Sequence, residues 1–126
     1  MNYEEMSDFE LNCLLLPFWA KKEGVEIKSH GRHPALGDIC NIVTFTFECE
    51  GHELSHDIHF CNDWNATMPL AVERGVTLSP SGRVELSEWE ASFGLNDDLQ
   101  PEIEAWQENP LRAIVICLIK VLEANQ

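Results

Sequence analysis

Two runs of alternating residues around Gly51 constrain this sequence more than any other feature. From Ile42 to Cys61 apolar and polar side chains take turns, the period-two pattern of strands with one covered face. Placing Gly51 and His52 in a two-residue turn gives glycine the first central position of a type II′ hairpin. Glu50 then pairs with Glu53, and Cys49 stands opposite Leu54. In this register Val43, Phe45, Phe47, Cys49, Leu54, His56, Ile58 and Phe60 share one face. Ile42, Thr44, Thr46, Glu48, Ser55, Asp57, His59 and Cys61 share the other. A nearly all-apolar face backed by a mostly polar one predicts an antiparallel hairpin laid on a core.

The flanks supply the rest of the fold. Ser7-Asp8-Phe9-Glu10 has the form of a capping box, and Leu11, Leu14, Leu15 and Phe18 follow at helical spacing. Pro17 predicts a kink or an end near Leu16. Val25 and Ile27 suggest a short strand, and Ser29 to Asp38 reads as a loop. After a polar turn at Asn62-Asp63, a helix is expected from about Thr67 to Arg74, with Pro69 in its first turn and Gly75 as its stop. Val76 to Leu78 and Val84 to Ala91 predict a second hairpin around Pro80-Ser81-Gly82. The acidic stretch Asp97 to Gln107 reads as a short exposed helix. Asn109 before Pro110 caps a last helix reaching about Glu123, apolar on most sides and suited to burial across a sheet.

This order predicts one α+β domain over residues 1–126, an antiparallel sheet built from hairpins with helices packed mainly on one face. A chain of this length buries roughly two-thirds of its unfolded surface, enough for a core without metal or disulfide staples.

Charge narrows the partners. Twenty-two acids face eight bases, for a net charge of -14. Between Arg83 and Arg112 there is no basic residue, yet Glu85, Glu88, Glu90, Asp97, Asp98, Glu102, Glu104 and Glu108 all fall there. Such a field repels phosphate backbones and anionic membranes and attracts basic protein surfaces. The apolar stretch Leu111 to Leu122 is too short to span a bilayer. Residues Met1 to Asp8 lack an export pattern, so the five cysteines (Cys13, Cys40, Cys49, Cys61 and Cys117) are expected as reduced thiols.

Catalytic chemistry finds no footing. There is no Gly-x-Ser-x-Gly, no glycine-flanked cysteine and no glycine-rich phosphate loop, and the chain is expected not to be an enzyme. His52, His56, His59 and Cys61 are of the types that zinc accepts. The hairpin register nevertheless sends His56 to one face, His59 and Cys61 to the other, and His52 to the turn. No cofactor is therefore expected, with a metal or small ligand on this hairpin kept as the alternative. Trp19, Trp89 and Trp106 read as core or edge packing. Trp64, after Asn62-Asp63, reads as an exposed interface anchor.

Three blocks carry a family likeness: Ser7-Asp8-Phe9-Glu10-Leu11-Asn12, Cys61-Asn62-Asp63-Trp64-Asn65-Ala66-Thr67-Met68-Pro69-Leu70, and Glu108-Asn109-Pro110-Leu111-Arg112-Ala113. They resemble the small NinX-type proteins encoded by temperate phages of enteric bacteria, whose chains have a similar Ser-Asp-Phe-Glu start and an Asn-Pro-Leu-Arg-Ala helix start. The resemblance implies a phage-encoded accessory protein acting in the bacterial cytoplasm. It brings no activity and no catalytic residue with it.

Together these readings predict a protein-binding module, an acidic inhibitor of a host or anti-phage defence protein with a basic surface. The residues expected at the interface are Glu85, Glu88, Glu90, Asp97, Asp98, Glu102, Asp63 and Trp64. Direct nucleic-acid and membrane binding are not expected.

Overall fold

The computed structural model describes residues 2–32, 41–80, 88–95 and 101–124. Its organising element is the last helix, α3 (Pro110–Ala124). Asn109 starts it: the side-chain oxygen accepts from the backbone N–H groups of Leu111 (2.9 Å) and Arg112 (3.2 Å), while Pro110 takes a first-turn position where no N–H is needed. Every residue from Ala113 to Ile119 is at most 1% exposed. A helix buried on all sides must be wrapped, and the remaining elements do that.

On one side lies a three-stranded antiparallel sheet in the order β4 (Thr77–Pro80), β5 (Trp89–Leu95), β6 (Pro101–Gln107). Its inner face offers Ala91 and Ala105, a cross-strand pair, to α3. Two small side chains there let helix and sheet approach closely. On the other side pack α1 (Asp8–Glu23) and α2 (Trp64–Arg74). Beyond α1 comes a second three-stranded antiparallel sheet, β1 (Ile27–Arg32), β2 (Val43–Cys49) and β3 (His52–Ile58). One apolar cluster joins both sheets through α3. The α+β class is as expected, with two sheets rather than one.

The first hairpin keeps its predicted faces and shifts its turn. Glu50 (φ 53°) and Gly51 (φ 81°) are the central residues, both left-handed as a type I′ turn requires, in place of Gly51-His52. Cys49 therefore faces His52 and Glu48 faces Glu53. Each partner moves by two residues, so no strand side chain changes face. Val43, Phe45 and Ile58 are buried, and Trp19 of α1 sits edge-on to Phe45 at 5.4 Å and to Phe60 at 6.4 Å. Cover stops short of the turn: Leu54 is 46% exposed and His56 is exposed. β3 ends at Ile58, and Phe60–Asn62 forms a 3-10 turn instead of continuing the strand.

Four local expectations are corrected. α1 runs through Pro17 to Glu23 and stops at Gly24 in the left-handed conformation. α2 begins at Trp64 and holds Pro69 in its interior. Both prolines are exposed, so solvent can serve the carbonyl that each leaves without an N–H partner. Residues 29–32, read as loop, belong to β1; Arg83 to Ser87 and the rest of that second-hairpin turn lie outside the described residues. The largest correction is Pro101–Gln107, a strand where an acidic helix was expected. Ile103 and Ala105 alternate inward with Glu102, Glu104 and Trp106 outward, and pairing with β5 outweighs the helical propensity of Glu, Ala and Gln.

Candidate functional site

The strand assignment of β6 gathers acids that a helix would scatter. Successive outward positions of a strand lie on one side, so Glu102, Glu104 and Trp106 stand in a row. Across from them β5 turns Glu90 and Ser92 outward, with Glu90 opposite Trp106 and Ser92 opposite Glu104. α3 occupies the other side of this sheet. Glu102 bends over Gly94, whose φ is +70°: a methyl group at Gly94 would lie 3.2 Å from the Glu102 carboxylate. Trp106 is 38% exposed. The result is a flat acidic face set around one tryptophan.

The charges on it feel one another. Burial pushes the Glu90 carboxyl up from its ordinary value, and the neighbouring Glu104 pushes it further. A carboxylate whose folded value is raised destabilises the native state at neutral pH, and the penalty fades as pH falls and the proton returns. Glu90→Gln is therefore expected to stabilise the chain by about 0.5 kcal/mol at pH 7. The gain should vanish near pH 4 in paired urea melts; an equal gain at both pH values would remove the repulsion.

The next acid in the alternation, Glu108, leads toward the second exposed tryptophan. Trp64 is 46% exposed at the first position of α2, and it lines a shallow depression of about 480 Å³ with Glu108, Asn109 and Pro110. Asp63 has a structural task there, capping α2 by accepting from the Asn65 N–H at 3.0 Å. Of the other expected interface residues, Glu88 is half-buried just before β5. Glu85, Asp97 and Asp98 lie outside the described residues. Glu104 and Trp106, not among the expected interface residues, stand on the same outward face, and the period-two alternation of residues 101–107 is the signal that places them there.

The metal-type residues do not converge. His52 and His56 are exposed on β3, His59 follows the strand, and Cys61 is buried in the 3-10 turn. Among the described residues no three His, Cys, Asp or Glu side chains are placed to hold a metal ion. Burial, followed by the nearby Asp8 carboxylate, pushes the Cys61 thiol up to about 12, so it stays protonated at neutral pH.

Cys61 belongs instead to a buried polar junction. Asn12 of α1, fully buried, donates to the Asn41 carbonyl (2.8 Å) and accepts from the Cys61 N–H (3.1 Å). Thr67 of α2, also fully buried, donates to the Phe60 carbonyl at 2.6 Å. Arg112 of α3 donates to Asp8 (2.6 Å), Gln107 (2.9 Å) and the carbonyls of Glu4 (3.2 Å) and Met6. His59 presents a buried Nε2 at 3.7 Å from the same Asp8 carboxylate, too far to hydrogen-bond.

A family model described as Bacteriophage P22, NinX matches residues 2–121. The chain belongs to the NinX family. Neither a curated protein nor a solved structure matches it significantly. The three blocks that resemble NinX proteins in sequence meet in space: Asp8 and Asn12 come from the first, Cys61 and Thr67 from the second, Arg112 from the third. In this NinX chain the blocks lock three helices and a hairpin together. The acidic sheet face is built outside them, apart from Trp64 and Glu108 at its edge. Among the described residues no helix is long and apolar enough to cross a membrane.

Proposed function

We propose that this phage-family chain acts without catalysis, as an accessory protein in the bacterial cytoplasm that binds another protein through the outer face of β5 and β6. The observation that carries the reading is the grouping of Glu90, Glu102 and Glu104 around the exposed Trp106. Aromatic anchors with a charged surround suit a protein interface, and an acidic field steers basic partners toward it. A host or anti-phage defence protein with a basic groove, blocked by this face, is the partner that the chemistry fits best.

The test uses the native chain and the variant Glu90→Gln/Glu102→Gln/Glu104→Gln as baits in lysate of a host bacterium. The native chain should retain a basic protein at roughly 50 mM salt and release it near roughly 500 mM, where screening is complete within a few ångströms. The triple variant should retain about tenfold less or none. Capture of the same partner by both baits would rule out this face.

A further inference from the structure

The chain has eight Lys and Arg residues, and most of those described are engaged by internal partners. Lys28 pairs with Glu48 (3.3 Å), Lys120 with Glu4 (2.6 Å) and Arg112 with Asp8, while the Arg32 guanidinium lies 4.1 Å from the centre of the Phe9 ring. Lys21 and Arg74 differ: neither forms an ion pair with a described residue. They sit in the last turns of α1 and α2, and both line one groove of about 590 Å³ between those helices. Phe18, Leu70 and Leu122 give the groove an apolar lining. It also contains Glu73, and Lys22 reaches across from α1 to pair with it at 3.6 Å.

Cations in a last turn offset the negative end of a helix dipole, and that role accounts for one residue on each helix. It does not account for both opening onto the same apolar hollow. With Glu73 matched by Lys22, Lys21 and Arg74 leave the groove net positive on a chain whose total charge is -14. This is where an anion is attracted rather than repelled, and the volume lies within the range of small-ligand sites.

We propose that the groove between α1 and α2 binds a small organic anion with an apolar body, of the chemical class of a medium-chain carboxylate. Its head lies between Lys21 and Arg74, where the guanidinium fork can take a carboxylate on two N–H groups. Its tail covers Phe18, Leu70 and Leu122. The site shares no residue with the acidic sheet face and stands whether or not that face binds a protein.

The probe is decanoate, titrated into the native chain and followed by amide shifts in nitrogen-15 NMR. Acetate supplies the head without the tail, and decyltrimethylammonium the tail with the opposite charge. Decanoate should saturate shifts at Phe18, Lys22 and Arg74 and bind about tenfold tighter than either control. Lys21→Glu/Arg74→Glu changes two surface positions, so the fold should persist, and decanoate affinity should drop about tenfold or more. Glu73→Gln releases Lys22 and should tighten binding about threefold. Equal affinity for the cationic probe, shifts that map elsewhere, no saturable binding, or indifference to the charge reversal would each overturn the proposal.

Discussion

Replacing Arg112 with methionine is expected to destabilise the chain by about 3 kcal/mol, since removing one partner of a largely buried ion pair strands the other. The side chain is only 15% exposed, and methionine keeps most of its apolar contact while deleting every donor. Four acceptors then lose their partner at once: the Asp8 carboxylate, the Gln107 side chain and the carbonyls of Glu4 and Met6. Arg112→Lys should recover less than half of the loss, because one ammonium on a flexible stem cannot reach acceptors spread as a guanidinium reaches them. Urea unfolding gives the number. Hydrogen exchange gives the location, with amides of residues 3–8 opening first, since Arg112 ties that segment to α3. A loss below about 1 kcal/mol would mean that the acceptors are satisfied by water and that the junction is not what holds the N-terminus.

What could be read in the sequence divides along physical lines. The Asn109-Pro110 start of α3 and the Ser7 cap of α1 depend on atoms within three residues, so sequence spacing describes them fully; Glu10 N–H does meet the Ser7 hydroxyl, at 3.1 Å. The faces of the first hairpin were legible for another reason. Side-chain alternation survives a turn displaced by one residue, so the wrong turn still gave the right faces, although only Val43, Phe45 and Ile58 of the inward strand positions are buried. Residues 101–107 failed because two signals conflicted. Their composition favours a helix, whereas Ile103 and Ala105 fit a strand, and the choice rests with pairing to β5, which the composition of residues 101–107 alone does not show. The same choice fixed the site. An acidic block is visible as composition, but a helix would separate Glu102 from Glu104 by about 200° and a strand aligns them. Trp106 joins the face for that reason.

The polar junction shows why sequence resemblance here points to architecture before activity. Each block contains a residue that bonds to another block, and none of those bonds joins near neighbours in sequence. In the sequence Asp8, Asn12, Cys61 and Arg112 belong to three separate motifs, and the bonds between them exist only in the folded chain. Tyr3 adds a further tie, its hydroxyl donating to the Glu123 carboxylate; that bond, then burial, pushes the phenol up to about 12. Lys120 adds another. Burial is the largest influence on Glu4 and works to raise it, but the Lys120 hydrogen bond, a backbone hydrogen bond and the charges of Lys120 and Arg112 together outweigh it and hold the carboxyl below its usual value. Glu4 thus contributes stability present at neutral pH and lost as pH falls through its lowered folded value.

Asn12→Leu is the second large effect expected, a loss of about 3 kcal/mol. Asn12 lies one turn after Asp8 on α1 and is fully buried, and its amide serves two backbone groups from different segments, the Asn41 carbonyl before β2 and the Cys61 N–H after β3. Leucine keeps the branched shape with the same number of side-chain heavy atoms and serves neither. Each stranded buried group costs about 2 kcal/mol, and the added apolar burial returns about 1 kcal/mol, which leaves the figure given. Two measurements separate this from general core damage. The Cys61 amide should exchange faster by a larger factor than amides in the middle of α3, because the lost bond is its own. In addition, Asn12→Leu combined with Arg112→Met should lose less than the sum of the single effects, since both anchor the same turn of α1 and residues in one network couple. Strict additivity would mean that the helix is held at two independent points, and the junction would then be two sites rather than one.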